Sequence, residues 1–287
     1  MAGAILILGA GAMAKAMAAA LVPLASATNP LFGEVILWAR RSEAADELGR
    51  ETGARAIEGL AEAATLELEA ILFCVRDGAI SDLAMRLAEA WPKTSRANLP
   101  VALHTSGYHG IEVLASLASL GIERGGLHPV VSIAGLASEA GAMFHRVRFG
   151  VAGDPEALDF ARELCVALGG VPLEVPDEGR ALYHAAAALL SGGTVALFAE
   201  AQAALGEAMP NAEPGELAEL VRELLRSTVA NLDVTPPASA LTGPVARGDS
   251  AVVEGHLASF AASRTPERAA LYQELVAAMR RLLETEK

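Results

Sequence analysis

The residues Gly9-Ala10-Gly11-Ala12-Met13-Ala14 stand directly behind the apolar run Ala4 to Leu8 and ahead of an alanine-rich stretch carrying Lys15. Gly9 permits a tight turn, Gly11 lets a backbone approach a pyrophosphate, and Ala14 is small enough for helix and strand to pack closely. A dinucleotide's phosphates would rest on the helix N-terminus over Gly9, Ala10, Gly11, Ala12 and Met13; the alternative is a glycine turn that merely packs. The second strand runs into Arg40, Arg41 and Ser42, where an NAD site usually shows an acid for the ribose hydroxyls. Two arginines and a serine suit a 2′-phosphate, so NADP is expected over NAD, against the alternative of two solvated surface charges. Cys74, Val75 and Arg76 close another strand and should border the same ligand, with Asp77 equally suited to cap a helix.

Further polar residues interrupt apolar sequence. Thr105 and Ser106 follow His104 at a strand end and should face the reactive end of the cofactor, as should His128. Tyr183 and His184 open the apolar stretch YHAAAALLSGGTVAL, in which His184 and Ser191, seven residues apart, share a helix face. Thr242, Arg247 and Asp249 lie in the segment ALTGPVARGD, where a guanidinium could grip a carboxylate and Asp249 orient it, or Asp249 could cap the next helix. Histidine titrates near neutral pH, which makes His184 a candidate proton donor or alkoxide stabiliser, although a lone histidine in such surroundings can equally be a satisfied core residue. No metal site is expected.

These residues need elements to hold them. Short apolar runs alternate with amphipathic stretches as far as Val175, the pattern of βα units in a doubly wound parallel sheet. Strands are expected at Ala4 to Leu8, Val35 to Trp38, Ala70 to Val75, Val101 to His104, Gly126 to His128 and Phe149 to Ala152, and helices at Met13 to Val22, Glu43 to Glu51, Ala79 to Trp91 and Pro155 to Leu168. Pro23 to Gly33 reads as an inserted loop. Beyond Pro176 the strand-like runs stop, and four helices are expected at Arg180 to Met209, Pro214 to Leu232, Ser250 to Ala262 and Pro266 to Glu284. The predicted domains are 1–177, an NADP-binding Rossmann domain, and 178–287, an all-α substrate and dimerisation domain.

Composition narrows the function classes. Apolar residues make up 53% of 287, enough to build a core, while 35 acidic against 22 basic side chains give a formal charge of −13 that repels nucleic acid and anionic membranes. The first apolar run is far short of the roughly 20 residues a membrane span needs. Cys74 and Cys165 sit in apolar contexts outside any CxxC pair, so free core thiols in a reducing cytoplasm are expected.

Taken together, GAGAMA, LHTSG, GLHPVVSI, YHAAAALLSGG and ALTGPVARGD resemble the Rossmann-like oxidoreductases with an all-helical C-terminal domain of the domain-of-unknown-function 2520 type, relatives of ketopantoate reductase, pyrroline-5-carboxylate reductase and the deazaflavin-dependent NADP oxidoreductases. The resemblance covers nearly the whole chain. It implies a 6-phosphogluconate-dehydrogenase-like architecture, a helical domain that often builds a homodimer, and an active site between the domains, with His184 and Ser191 at the substrate-contacting positions. The chain departs from the pattern at Gly192, where many members carry asparagine. The expected activity is NADPH-dependent reduction of a small carbonyl or imine acid, ketopantoate being one candidate by analogy; the alternative is a non-catalytic NADP-binding sensor or dimeric scaffold.

Overall fold

The computed structural model describes residues 3–27, 30–91, 98–133 and 143–284. Strands β1 (Ala4–Leu8), β2 (Glu34–Trp38), β3 (Arg55–Ala56), β4 (Leu68–Phe73), β5 (Val101–His104), β6 (Arg124–Pro129), β7 (Arg148–Gly153) and β8 (Val171–Glu174) form one sheet in the order β3-β2-β1-β4-β5-β6-β7-β8. Its core lies on both faces because side chains alternate across a strand. Ile5 and Ile7 pack on one side with Met17 and Leu21 of α1 (Ala12–Leu21), whereas Leu6 and Leu8 pack on the other with Leu83 and Leu87. Both sides are covered, which is why the central strands read as unbroken apolar runs.

The helices between the strands are α2 (Ser42–Thr52), α3 (Leu60–Ala63), α4 (Ile80–Ala90), α5 (Ala115–Ala118) and α6 (Pro155–Ala167). Strand order reverses between β1 and β4, the switch point at which open α/β sheets bind ligands beyond the strand carboxyl ends. Of the inserted loop expected at Pro23 to Gly33, the chain turns through a short 3-10 segment, Val22–Ser26, while residues 28–29 lie outside the described residues.

The all-parallel winding expected from sequence holds as far as β6. There β7 runs antiparallel, with Gly125 opposite Gly153 and Gly126 opposite Ala152. An antiparallel neighbour needs no crossover helix. Glycines suit this pairing: a Cβ on Gly125 would come 2.9 Å from the Ala152 carbonyl oxygen, and one on Gly153 2.9 Å from that of Arg124. The two-residue strand β3 escapes sequence reading because it is too short to show a period.

The remaining helices are α7 (Arg180–Ala208), α8 (Pro214–Val234), α9 (Pro237–Ala240), α10 (Pro244–Arg247), α11 (Ser250–Ala261) and α12 (Glu267–Glu284). The chain divides into two compact units, Met1–Ala188 and Leu189–Lys287, so α7 begins in one and ends in the other. Within the second unit Arg268, nearly buried on α12, bonds Glu200 at 2.9 Å and Glu207 at 3.2 Å on α7. By length and composition the helical stretch Asp177–Ala208 could cross a bilayer.

Candidate functional site

Strand β1 ends on Gly9, whose φ of +134° is closed to ordinary L side chains and whose Cβ would collide with the Cys74 carbonyl. Its N–H donates to the Trp38 carbonyl at 2.8 Å, which ties the turn to the end of β2. Gly11 then caps α1 in extended conformation with no atom within 4 Å of where a Cβ would stand. The first turn of α1 carries no acidic residue and Gly11 has no side-chain cap, so the helix N-terminus opens onto free space with its amides unmet by side chains. Ala14 is fully buried, as the third small position of the turn requires.

This turn floors a cleft of about 660 Å³. Of the expected cofactor residues, Gly9, Ala10, Gly11, Arg40, Arg41, Cys74, Val75 and Arg76 line it. Ala12 and Met13 form the first turn of α1, and Ser42 opens α2. Burial pushes the Cys74 thiol up to about 12, so this residue offers the cleft backbone and no thiolate. Sequence reasoning missed one wall: Asp82, Leu83 and Arg86 of α4 also line the cleft, and the guanidinium of Arg86 stands 5.8 Å from the centre of the Trp38 ring. The four-residue step from Asp82 to Arg86, which puts both on one helix face, was the available signal.

A second cluster forms at the carboxyl ends of β5 and β6, where the first turn of α7 meets three glycines. A Cβ on Gly126 would stand 2.7 Å from Arg180 Nη2, one on Gly150 2.6 Å from the Tyr183 hydroxyl, and one on Gly107 2.7 Å from both His184 Nδ1 and His128 Cε1. Each glycine vacates the space that a polar side chain of α7 occupies. His128 and His184 meet edge to face with ring centres 5.8 Å apart. The Tyr183 hydroxyl and His128 Nδ1 share a hydrogen bond of 2.8 Å, in which the hydroxyl donates when His128 carries its proton on Nε2. Burial, then the charges of His184 and Arg180, lower His128 to about 4 and keep it neutral at pH 7. Burial likewise raises the Tyr183 phenol.

Arg180 is the most deeply placed charge of the cluster, 1% exposed. Its Nη2 donates to the Ser106 carbonyl at 3.2 Å, while Nε and Nη1 have no hydrogen-bond partner among the described residues. Desolvation lowers its pKa against the opposing pull of Asp177. Beside it the buried His104 is driven to about 3, mainly by burial and then by Arg180. Arg180 was absent from the expected site, and His104 and Tyr183, singled out among the polar interruptions, were given no role there; the sequence signal for Arg180 was an arginine three residues ahead of that tyrosine at the head of an apolar helix.

The hydroxyls expected to face the reactive end of the cofactor make local contacts. The Thr105 hydroxyl donates to the Phe73 carbonyl at 3.2 Å, and the Ser106 hydroxyl accepts the amides of Tyr108 and His109, both at 3.1 Å. Small hydroxyls at a strand end satisfy local backbone, and these two tie the loop down. His128, expected at the cofactor, sits with Tyr183 and His184.

The other expected substrate residues lie in the second unit. Ser191 is exposed on α7, beside Gly192 and Gly193 with open space at both. Gly243 and Gly248, at φ of +92° and +74°, bracket the single turn α10, a shape that depends on glycine at both ends. Within it Arg247 Nε donates to Asp249 Oδ2 at 3.0 Å. Asp249 occupies the N-cap position of α11 but makes no side-chain cap bond, its carboxylate being turned to Arg247. Thr242 is exposed on the same loop.

Two segments of the chain match known families, and its fold matches solved structures. Residues 4–95 match the family described as NADP oxidoreductase, coenzyme F420-dependent, and residues 147–279 match the domain of unknown function DUF2520. No curated protein sequence matches. Among solved structures, the Bacteroides fragilis protein BF3122 is 21% identical with a TM-score of 0.75, covering 98% of each chain. An Aspergillus terreus reductive aminase in complex with NADPH and ethyl-5-oxohexanoate is 17% identical at TM-score 0.66, covering 100% of each chain. A 1-pyrroline-5-carboxylate reductase of Streptococcus pyogenes is 13% identical at TM-score 0.60, covering 97% of this chain and 98% of its own.

Proposed function

We propose, from the premise that the chain is an NADP-dependent oxidoreductase joined to a DUF2520 domain, that it reduces a small carbonyl or imine acid with NADPH. The observation that carries this reading is the open glycine turn facing a cleft that also holds Arg40 and Arg41. Helix N-termini accept phosphate through backbone amides, and guanidinium forks accept it through paired N–H groups. When bound, the cofactor supplies the hydride. The chain's own residues hold the coenzyme and manage the proton.

His184 is the proposed proton donor or alkoxide stabiliser, acting through Nε2 because its Nδ1 is buried against Gly107. His128, neutral and fixed by Tyr183, braces that ring edge-on. Arg247, oriented by Asp249, is the proposed grip for a substrate carboxylate, with Thr242 and Ser191 as further substrate contacts. Ketopantoate is a candidate substrate by analogy. The proposed division is an NADP-binding domain over 1–177 and a helical domain over 178–287, working in the cytoplasm, where Cys74 and Cys165 stay free thiols.

We further propose a homodimer built on α7. Leu182, Leu189, Leu190 and Val195 are each at least 70% exposed, and the glycine pair at 192–193 admits a close helix neighbour. A net charge of −13 opposes the alternative of an anionic bilayer.

The test is turnover of NADPH with a panel of 2-keto and imino acids, followed by absorbance. His184→Ala should lose about a hundredfold or more in kcat, the contribution of a general acid, with NADPH affinity retained. Unchanged turnover would remove His184 from the chemistry, and tight NADP binding with no turnover of any panel member by the wild type would favour the sensor or scaffold.

A further inference from the structure

The cleft above the glycine turn holds more positive charge than its phosphate-binding backbone needs. Arg40, Arg41, Arg76 and Arg86 all line it, none of them in an ion pair with a described residue, in a chain whose net charge is −13. A pyrophosphate is served by the amides at the head of α1, and the end of β2 supplies the two arginines expected from sequence. Arg86 comes from another element, and its neighbour there is the Trp38 ring.

We propose that Arg86 is a further selectivity residue for the 2′-phosphate of NADP, held ready over Trp38; this rests on the NADP reading above. Trp38 is nearly buried at the end of β2, immediately before Ala39 and Arg40, so its ring is a rigid shelf at the adenosine end of the cleft. The Arg86 guanidinium lies 5.8 Å from the ring centre, within cation–π range, and reaches the cleft from α4, an element separate from the one that carries Arg40 and Arg41. Asp82, one turn earlier on the same helix, faces the same cleft yet forms no ion pair with Arg86. The fork thus keeps its charge and N–H donors for a ligand. A planar guanidinium held near an indole gives up less freedom on gripping a phosphate than a free lysine would. NADP differs from NAD by that one dianionic group, so a cation added at the adenosine end favours NADP selectively.

The experiment is calorimetric titration of the full chain with adenosine 2′,5′-bisphosphate and with AMP, which differ in the 2′-phosphate alone. Arg86→Ala should weaken the bisphosphate about tenfold, equivalent to about 1.4 kcal/mol, and leave AMP within about twofold. Arg86→Lys, which keeps the charge but loses the planar fork, should fall between them, and higher salt should narrow the difference between wild type and Arg86→Ala. Equal weakening of both probes would overturn the proposal by making Arg86 a mere wall of the adenosine pocket, as would unchanged bisphosphate affinity. If the wild type itself shows no preference for the 2′-phosphate, the NADP reading fails first, a result distinct from either.

Discussion

The two units of the chain solve burial differently. In the first, every central strand has both faces covered: Ile5, Leu6, Ile7 and Leu8 are wholly inaccessible, and the polar residues that enter the interior are His104, Thr105, Ser106 and Arg180, gathered where the loop after β5 meets α7. In the second, helices leave many of their leucines and valines in solvent, with Leu189 at 77% and Val234 at 80% exposed. The first unit completes its own core and concentrates its anomalies at one site. Among its described residues the second buries fewer apolar side chains, and its exposed apolar faces are what the proposed dimer would cover. Burial alone therefore separates the part that builds a pocket from the part for which we propose an interface.

The difference can be broken most directly at α7. Leu190→Glu should leave monomer stability within about 0.5 kcal/mol, because the side chain is exposed. In a twofold interface the change occurs twice, so the dimer should weaken by about 4–6 kcal/mol, beyond a thousandfold in dissociation constant by sedimentation. A dimer of undiminished affinity would remove α7 from the interface.

A smaller effect should be confined to the first unit. His104 and His128 are held at about 3 and about 4, against roughly 6.5 for an unfolded histidine. Their folded pKa values are depressed, so the unfolded chain binds more protons at mildly acid pH; the stability they contribute is complete above pH 6.5 and falls as pH drops toward 4. His128 alone should cost about 2 kcal/mol by pH 5, measured as the change in denaturant stability from pH 7. His128→Asn should flatten that dependence by a similar amount, and an unaltered slope would mean that His128 is not held neutral in the fold.

Much of this was legible in the sequence, for definite reasons. The glycine turn, β1 and α1 follow from local periodicity and from backbone demands that only glycine meets. The helices after Gly179 follow from their period, and their ends fall within about two residues of expectation because proline, glycine and polar caps mark them. Strand direction was not legible: a period of two is the same in either sense, so antiparallel β7 needed the register of Gly125 against Gly153. Nor was the cluster around Arg180, Tyr183 and His184. Their partners Gly126, Gly150 and Gly107 stand tens of residues away, and each reads as an ordinary glycine until the fold brings α7 against it. Arg86 escaped for the same reason, since its meaning depends on Trp38 from a different strand. The local bonds of Thr105 and Ser106 were not legible either: each hydroxyl meets backbone that only the fold brings within reach.

The most direct measurement is isothermal titration of the purified chain with NADPH and NADH, alongside Gly9→Ala, whose added methyl is denied both by φ and by the Cys74 carbonyl. One NADPH should bind per chain, more tightly than NADH, and the substitution should abolish that uptake. Equal affinity for the two coenzymes, or NADPH binding that survives a folded Gly9→Ala, would contradict the assignment of the cleft.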